Sequence, residues 1–398
     1  MRILVAGGGI GGLTAALCLN RAGFLVDVHE RAKAFGELGA GIQLGPNAMR
    51  VYRELGLEDV ILQNAVIPER LELREGDTGQ SVFSIAAGPK LQRRYNAPYA
   101  HIHRADLVEI LSRAVKARCG DGVHLASPIG EVRSTATGAI ADFENGRGVR
   151  VAAVVGADGI NSRVRQVLQG DEAAAFSGYV AWRALVARSD TLDALIPHAA
   201  TVWSGPDRHA VTYRLRGGKL INFVGVVRQP DWTVEGWSEP GDATELRGAF
   251  AGFADPVTKL TESVERAFRW AIRERPPARR WGEGQITLLG DAAHPMPPFM
   301  AQGAAMAIED AWTLAVHLSR HRDALAKGLR AYELERRKRT ARVQDAAWRN
   351  LAVFHSESGG RGRRLRGQLR LANRFAPGLI HSGTHWIYNW KPASLAPS

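Results

Sequence analysis

Six residues, Gly7-Gly8-Gly9-Ile10-Gly11-Gly12, decide most of what the first part of this chain can become. They follow RILVA, residues 2–6, an apolar run of strand length. They precede LTAALCLNRAG, whose apolar residues recur at helical spacing up to Gly23, a natural helix stop. LVDVHE, residues 25–30, then reads as a second strand ending in an acid. Strand, glycine turn, helix, strand and acid in this order make a dinucleotide-binding unit. Gly7 allows the tight turn, Gly9 lets the backbone approach a pyrophosphate, and Gly12 permits close helix–strand packing. The helix start offers unpaired N–H groups and the positive dipole end to phosphates. Glu30 can accept hydrogen bonds from a ribose. The unit suits FAD and NAD equally, so other segments must choose between them.

Two distant segments do so. VAAVVGADGINSRVR, residues 151–165, runs a buried strand into Asp158-Gly159 and a basic helix start. ITLLGDAAHPMPPFMAQGAAMAIEDAWTLA, residues 286–315, places Asp291 at a strand end, where a carboxylate can grip a polyol. A stiff proline loop follows, from His294 to Phe299, suited to a wall beside a flat ring. Gln302, Gly303 and Ala304 then open a helix whose N–H groups can face an electron-rich ring edge.

In order and content these three motifs resemble the single-component FAD-dependent aromatic hydroxylases, the para-hydroxybenzoate hydroxylase-like flavoprotein monooxygenases. GAGIQLGPNA, IHRADL, YVAWRA and AQGAAMAIEDA are similar to the salicylate and 6-hydroxynicotinate hydroxylase branch. The resemblance implies an α/β fold: a Rossmann-like FAD-binding domain, an inserted mixed β-sheet substrate domain and a C-terminal helical segment. It implies FAD as cofactor, NADH or NADPH as a visiting co-substrate, and dioxygen converted to a flavin hydroperoxide. It places Gly7, Gly9, Gly11 and Gly12 around the pyrophosphate, and Glu30 with its neighbour Arg31 at the adenosine end. Arg104 falls beside the polyol and phosphates, Asp291 at the ribityl chain, and Asp158 at both FAD and the nicotinamide nucleotide. Gln43, Gly303 and Ala304 fall at the flavin.

The substrate region, Phe176 to roughly Trp270, alternates like a sheet. In HAVTY, His209 and Tyr213 are four residues apart, so a strand puts them on one face. The resemblance points both at the substrate, with His209 as general base, directly or through Tyr213. Trp182, Arg183, Trp203 and Pro298 are expected to line the substrate pocket, with Arg183 suited to a carboxylate. The 3-hydroxybenzoate branch carries a histidine where this chain has Thr212, which argues against that particular activity. His294 has two readings, a flavin-side polar group or a loop cap.

The FAD domain is expected to take residues 1–70, 98–175 and 271–325, the substrate sheet 71–97 and 176–270, and a basic, mainly helical segment 326–398. The net charge is +12, yet residues 321–398 hold 16 Lys and Arg against 5 Asp and Glu. The body is thus nearly neutral, which argues against a nucleic-acid groove spread through the fold. In the C-terminal part, ERRKRTARVQD reads as a solvated helix face, and Gly359-Gly360 as a break. Beyond it Leu365, Leu369, Ala372 and Phe375 form a stripe among arginines, and 361–375 is expected to pack within the chain, on a subunit or on an anionic membrane. The two cysteines cannot make a disulfide framework or a four-thiolate metal site, so no metal and a cytoplasmic enzyme, monomer or homodimer, are expected. A small aromatic substrate is the expected partner, with no nucleic acid. A quinone-biosynthesis hydroxylase, an epoxidase or tailoring oxygenase, an oxygen-independent flavoprotein reductase, and a flavoprotein binding nucleic acid or membrane through its basic tail remain as alternatives.

Overall fold

β1 (Arg2–Ala6) is buried from Ile3 onward, α1 (Ile10–Arg21) follows the turn, and β2 (Leu25–His29) pairs with β1 in parallel. β3 (Gly41–Leu44) and α2 (Pro46–Glu54) follow, with Pro46 at a first-turn position where its missing N–H is harmless. Then come the pair β4 (Arg70–Glu75) and β5 (Ser81–Ala86), and β6 (Ala100–His103), which runs directly into α3 (Arg104–Cys119). After β7 (Val123–His124) and β8 (Ala153–Gly156), α4 (Arg163–Gln169) starts at Ser162, whose hydroxyl accepts from the Arg165 N–H. The middle of the chain is sheet: β9 (Ala175–Ala187), β10 (Ala199–Gly205), β11 (Arg208–Leu215), β12 (Leu220–Arg228) and β13 (Glu239–Gly241). Helices α5 (Ala243–Ala249) and α6 (Asp255–Glu262) lead to β14 (Ala267–Glu274) and β15 (Ile286–Leu288). Four helices close the chain: α7 (Gly303–Arg320), α8 (Leu325–Phe354), α9 (Gly360–Phe375) and α10 (Pro377–Tyr388). This computed structural model describes residues 1–35, 40–170, 173–232, 239–355 and 360–395; Gly39 of the GAGIQLGPNA segment and Gly359 of the expected break lie outside the described residues.

Two sheets organise the molecule. A five-stranded parallel sheet has the order β15-β8-β1-β2-β7, with the glycine turn at the end of its central strand. Its strands β15, β8 and, from Ile3 onward, β1 are buried on both faces, which is why they read as continuous apolar runs. An eight-stranded sheet has the order β13-β14-β9-β12-β11-β10-β4-β5, antiparallel except where β10 meets β4. One face of that sheet packs on α5 and α6 through Trp182, Trp203, Phe223, Phe250 and Leu260. The other face meets the proline loop and α8 through Ala181, Val226, Phe299, Ala347 and Leu351. The expected α/β architecture is therefore observed.

The C-terminal part departs from expectation. ERRKRTARVQD is not a solvated face: Arg336, Thr340, Val343 and Gln344 are buried, a helical stripe continued by Ala347 and Leu351. The stripe keeps the 3.6-residue period, but arginine, threonine and glutamine occupy buried positions that an apolar pattern would fill with aliphatic side chains. The last residues are also tied down. Arg50 donates to the carbonyls of Tyr388 at 2.7 Å and Trp390 at 2.5 Å, and Trp312 Nε1 donates to that of Ala393 at 2.8 Å. α9 lies along β5, the edge strand, where Asn373 Oδ1 accepts the Ser84 N–H at 3.3 Å, and its Arg366 and Arg370 pair with Glu75 at the end of β4 at 2.9 and 2.8 Å. Its apolar residues do not form one buried stripe: Leu369 and Ala372 are half-buried, while Phe375 is 73% exposed. Among the described residues, no helix is long and apolar enough to cross a membrane.

Candidate functional site

The glycine turn sets the floor of a cleft of about 670 Å³. Gly7 has φ +109°, a conformation that only glycine adopts without strain, and a Cβ there would stand 2.4 Å from the Ala157 carbonyl oxygen. Gly9 faces open space and lines the cleft with Gly7. Gly11 and Gly12 do not line it. Gly11 lies against Leu289 and Ala307, and a Cβ on Gly12 would stand 1.9 Å from the Gly7 oxygen. They are packing glycines, so of the four expected at a pyrophosphate Gly7 and Gly9 line the cleft and Gly11 and Gly12 support the turn from behind.

Charged residues then mark out the cleft. Glu30 and Arg31 lie at one end, and Arg104, Asp158, Arg183 and Asp291 line the rest. The Glu30 carboxylate accepts the Gly8 and Ala32 N–H groups at 2.7 and 2.8 Å, which aims it at the turn. Asp158 accepts from Ser162 Oγ at 2.5 Å and from the Arg163 and Val164 N–H groups, so its carboxylate is engaged in its own turn at the start of α4. Asp291 opens to the cleft at the end of β15, and the low-dielectric walls push its carboxyl above the ordinary value against the pull of His294 and Arg104. An acid at one end, an exposed backbone at Gly9, two arginines and an acid at the other end fit an FAD stretched along the cleft.

Below the proline loop lies a buried polar network. His294 Nε2 meets Asp310 at 2.5 Å, and Arg336 bridges Asp310 and Glu309 at 2.6 Å each. Arg339 adds two bonds to Glu309, at 2.7 and 2.8 Å, and Asn47 donates to Glu309 and Gln302. Burial works to raise the Asp310 carboxyl, but His294 and Arg336 prevail and hold it below the ordinary value. His294 is thus the loop anchor; it is 1% exposed and turned away from the cleft. Gly303 and Ala304 open α7 just beyond Gln302, with neither among the residues lining the cleft.

β11 supplies the sheet side. Period-two alternation puts Ala210 and Thr212 toward α5 and α6, and His209, Val211 and Tyr213 toward the proline loop and β3. His209 is buried beside Phe299, with ring centroids 5.7 Å apart. Tyr213 packs on His101 at 4.6 Å and reaches Gln43, which also accepts from Tyr99 Oη at 2.6 Å. Burial raises the Tyr213 phenol, and Arg183 nearby works against that. Arg183 also stacks over Trp270 at 5.2 Å.

Two expected pocket residues are not in the pocket. Trp182 and Trp203 belong to the core on the α5–α6 face, where Trp203 Nε1 donates to Thr212 Oγ1 at 3.0 Å. Their neighbour Arg183 faces the cleft because alternation puts it on the opposite side from Trp182. Thr212 faces the same core, so its identity says nothing about a base and does not count against 3-hydroxybenzoate hydroxylation. Pro298 lies with Asp291, Trp270, Arg273 and Arg275 around a second cleft of about 310 Å³ that shares the Asp291 wall. His355 was missed altogether. It ends α8 and meets His209 across 146 residues of chain, a pairing for which FHSES carries no signal.

A family model described as "FAD binding domain" matches residues 1–347. A 3-hydroxybenzoate 6-hydroxylase of Polaromonas naphthalenivorans is 36% identical over 393 residues, 98% of this chain and 96% of that protein. A 6-hydroxynicotinate 3-monooxygenase of Pseudomonas fluorescens is 37% identical over 86% of this chain and 89% of that protein. The crystal structure of Klebsiella pneumoniae HpxO complexed with FAD and uric acid superposes with a TM-score of 0.83 at 27% identity, covering 96% of each chain.

Proposed function

The chain belongs to the FAD-binding-domain family and is an FAD-dependent monooxygenase that uses NAD(P)H and dioxygen; from that premise we propose how its residues hydroxylate a small aromatic acid that already bears a ring hydroxyl. The reading rests on one observation above all. His209 and Tyr213 share the face of β11 that meets the proline loop, while Arg183, beside Tyr213, lines the cleft that ends at Asp291.

FAD, when bound, would carry electrons from the nicotinamide to dioxygen, of which one atom enters the ring and the other leaves as water. Gly7, Gly9, Glu30, Arg104 and Asp291 hold it along the cleft, with Arg31 at the adenosine end. Gln43, bonded to Tyr99, stands beside Tyr213 on the β3 side, and Pro298 lines the neighbouring cleft at Asp291. Arg183 offers a fork of donors to the substrate carboxylate, and its stacking on Trp270 fixes the guanidinium plane. His209 takes the proton of the ring hydroxyl, because a phenolate is a far better nucleophile toward an electrophilic oxygen than a phenol. Burial keeps His209 neutral, the form that can accept a proton. Tyr213 orients the hydroxyl through its own phenol. We further propose that the two-sheet layout corresponds to an FAD domain of residues 1–70, 98–175 and 271–325 with the substrate sheet inserted.

The test is a screen of hydroxybenzoates and hydroxynicotinates on the purified yellow protein. A hydroxylated product formed with NAD(P)H oxidation and oxygen uptake is the expected result. NAD(P)H oxidation that no aromatic acid stimulates, or that yields only hydrogen peroxide, sinks the reading.

A further inference from the structure

His209 Nδ1 lies 2.7 Å from His355 Nε2, and both rings are buried, at 2% and 7% exposure. Two imidazoles at that distance share one N–H. We infer that His355 is a positioning residue for the reaction: it holds His209 in the tautomer whose Nε2 accepts a proton, and its own Nε2 stabilises the protonated ring through the shared N–H. The inference rests on the reading of His209 as the base.

The placement of His355 is set by the backbone. Its N–H donates to Leu351 at 2.7 Å, its main chain bridges Gly205, and Ser204 Oγ donates to the neighbouring Phe354 carbonyl at 2.8 Å. The end of α8 is thereby fixed to the β10–β11 turn whatever the side chain at 355. Tyr179, Phe299 and Phe354 wall the pair with aromatic edges. His209 Nε2 makes no hydrogen bond to any described residue, and neither does the buried His355 Nδ1. The titratable groups facing the pair are Tyr179, Asp207 and Arg228, the last two exposed and 3.6 Å apart where the turn reaches solvent. Burial holds both imidazoles neutral at neutral pH, with His355 lowered to about 4.

The proton count balances. The substrate O–H breaks as an N–H forms on His209 Nε2. The ring of His209 carries the charge while its Nδ1–H stays hydrogen-bonded to His355 Nε2, and the Nε2 proton then returns to the product phenolate, which restores the neutral pair; the buried His355 Nδ1 takes no part. No electrons move between the imidazoles.

The experiment compares FAD-loaded wild type with His355→Leu and His355→Gln, the second keeping an acceptor at the same reach should the first fold poorly. In His355→Leu, kcat falls about 10–100-fold. KM, flavin content and the rate of flavin reduction by NAD(P)H stay within about twofold. The acid limb of the kcat–pH profile shifts, and His355→Gln recovers part of kcat. Histidine 15N NMR of the enzyme without substrate shows His209 protonated at Nδ1 in the wild type and as a tautomer mixture in His355→Leu. An unchanged kcat and pH profile in a flavin-replete His355→Leu, or a wild-type His209 protonated at Nε2, overturns the inference. The NMR readout needs no turnover, so it still decides the point if every aromatic acid fails in the screen.

Discussion

Arg336 and Glu309 meet at 2.6 Å with no solvent reaching either side chain. Asp310 stands at the same distance from the same guanidinium, so one arginine balances two buried carboxylates. Arg336→Leu leaves Glu309 with Arg339 and Asn47, and Asp310 with His294 and the Gly290 N–H. Breaking a buried pair from one side costs about 3–5 kcal/mol. The expected result is a fall of that size in unfolding free energy by urea titration and a loosened proline loop that releases FAD. Arg336→Lys, a point charge without the fork, recovers only part of it.

The glycines separate by what surrounds them. Gly12→Ala puts a methyl 1.9 Å from the Gly7 oxygen and breaks the turn, so a low yield of folded protein is expected. Gly9→Ala meets nothing within 4 Å in the protein and should leave the melting temperature of the FAD-free chain unchanged. Its methyl projects into the cleft instead, and FAD affinity falls about tenfold, near 1.4 kcal/mol. Equal effects of the two substitutions on the FAD-free chain would contradict this division.

Opposite faces of β11 should give opposite phenotypes. Thr212→Val removes the acceptor of Trp203 Nε1 and costs about 1–3 kcal/mol of stability. It should leave KM and kcat unchanged, since position 212 faces α5 and α6. Tyr213→Phe should do the reverse, lowering kcat severalfold with a melting temperature close to wild type. A kinetic defect in Thr212→Val would return that position to the site.

Acid should weaken the fold early. Burial lowers His29, His101 and His355 to about 4, 3 and 4. In the unfolded chain each titrates near its ordinary value of about 6.5. Below that pH the unfolded chain binds protons that the folded chain does not, so stability drops as pH falls from about 6.5 toward 4 and is fully present above 6.5. The loss is about 1 kcal/mol per histidine per pH unit within the window. Melts at pH 7.5 and pH 5 read it directly, and replacing His101 with glutamine should flatten the slope.

The sequence disclosed what is local. Strand, turn, helix and acid lie within Arg2–Glu30, and the turn geometry follows from glycine alone. Spacing also placed His209 and Tyr213 on one face correctly, because strand alternation is a two-residue rule. The same rule could have excluded Trp182 and Thr212 once one face was assigned, but nothing in the sequence says which face of β9 or β11 meets the loop. Arg336 was misplaced because its partners, Glu309 and Asp310, lie on α7, and charge reads as solvated until its counter-charges are in view. His355 was invisible for the same reason, its role being set by a contact spanning 146 residues.

Arg183 is where substrate choice can be read. It is 7% exposed, stacked on Trp270 and close enough to Tyr213 to act on its phenol. A charge-assisted pair with a carboxylate is worth about 1.5–3 kcal/mol. Arg183→Met keeps the length and the stacking contact but removes the charge. KM for a hydroxylated aromatic acid should then rise about 10–100-fold. KM for the matching phenol without the carboxylate should stay within about twofold, and FAD content should be unchanged. Fluorescence titration of substrate onto the oxidised enzyme gives the same comparison as a dissociation constant, free of turnover. If acid and phenol weaken in parallel, Arg183 shapes the cleft rather than reading the carboxylate, and the recognition of the acid must be sought around the second cleft, at Arg273 and Arg275.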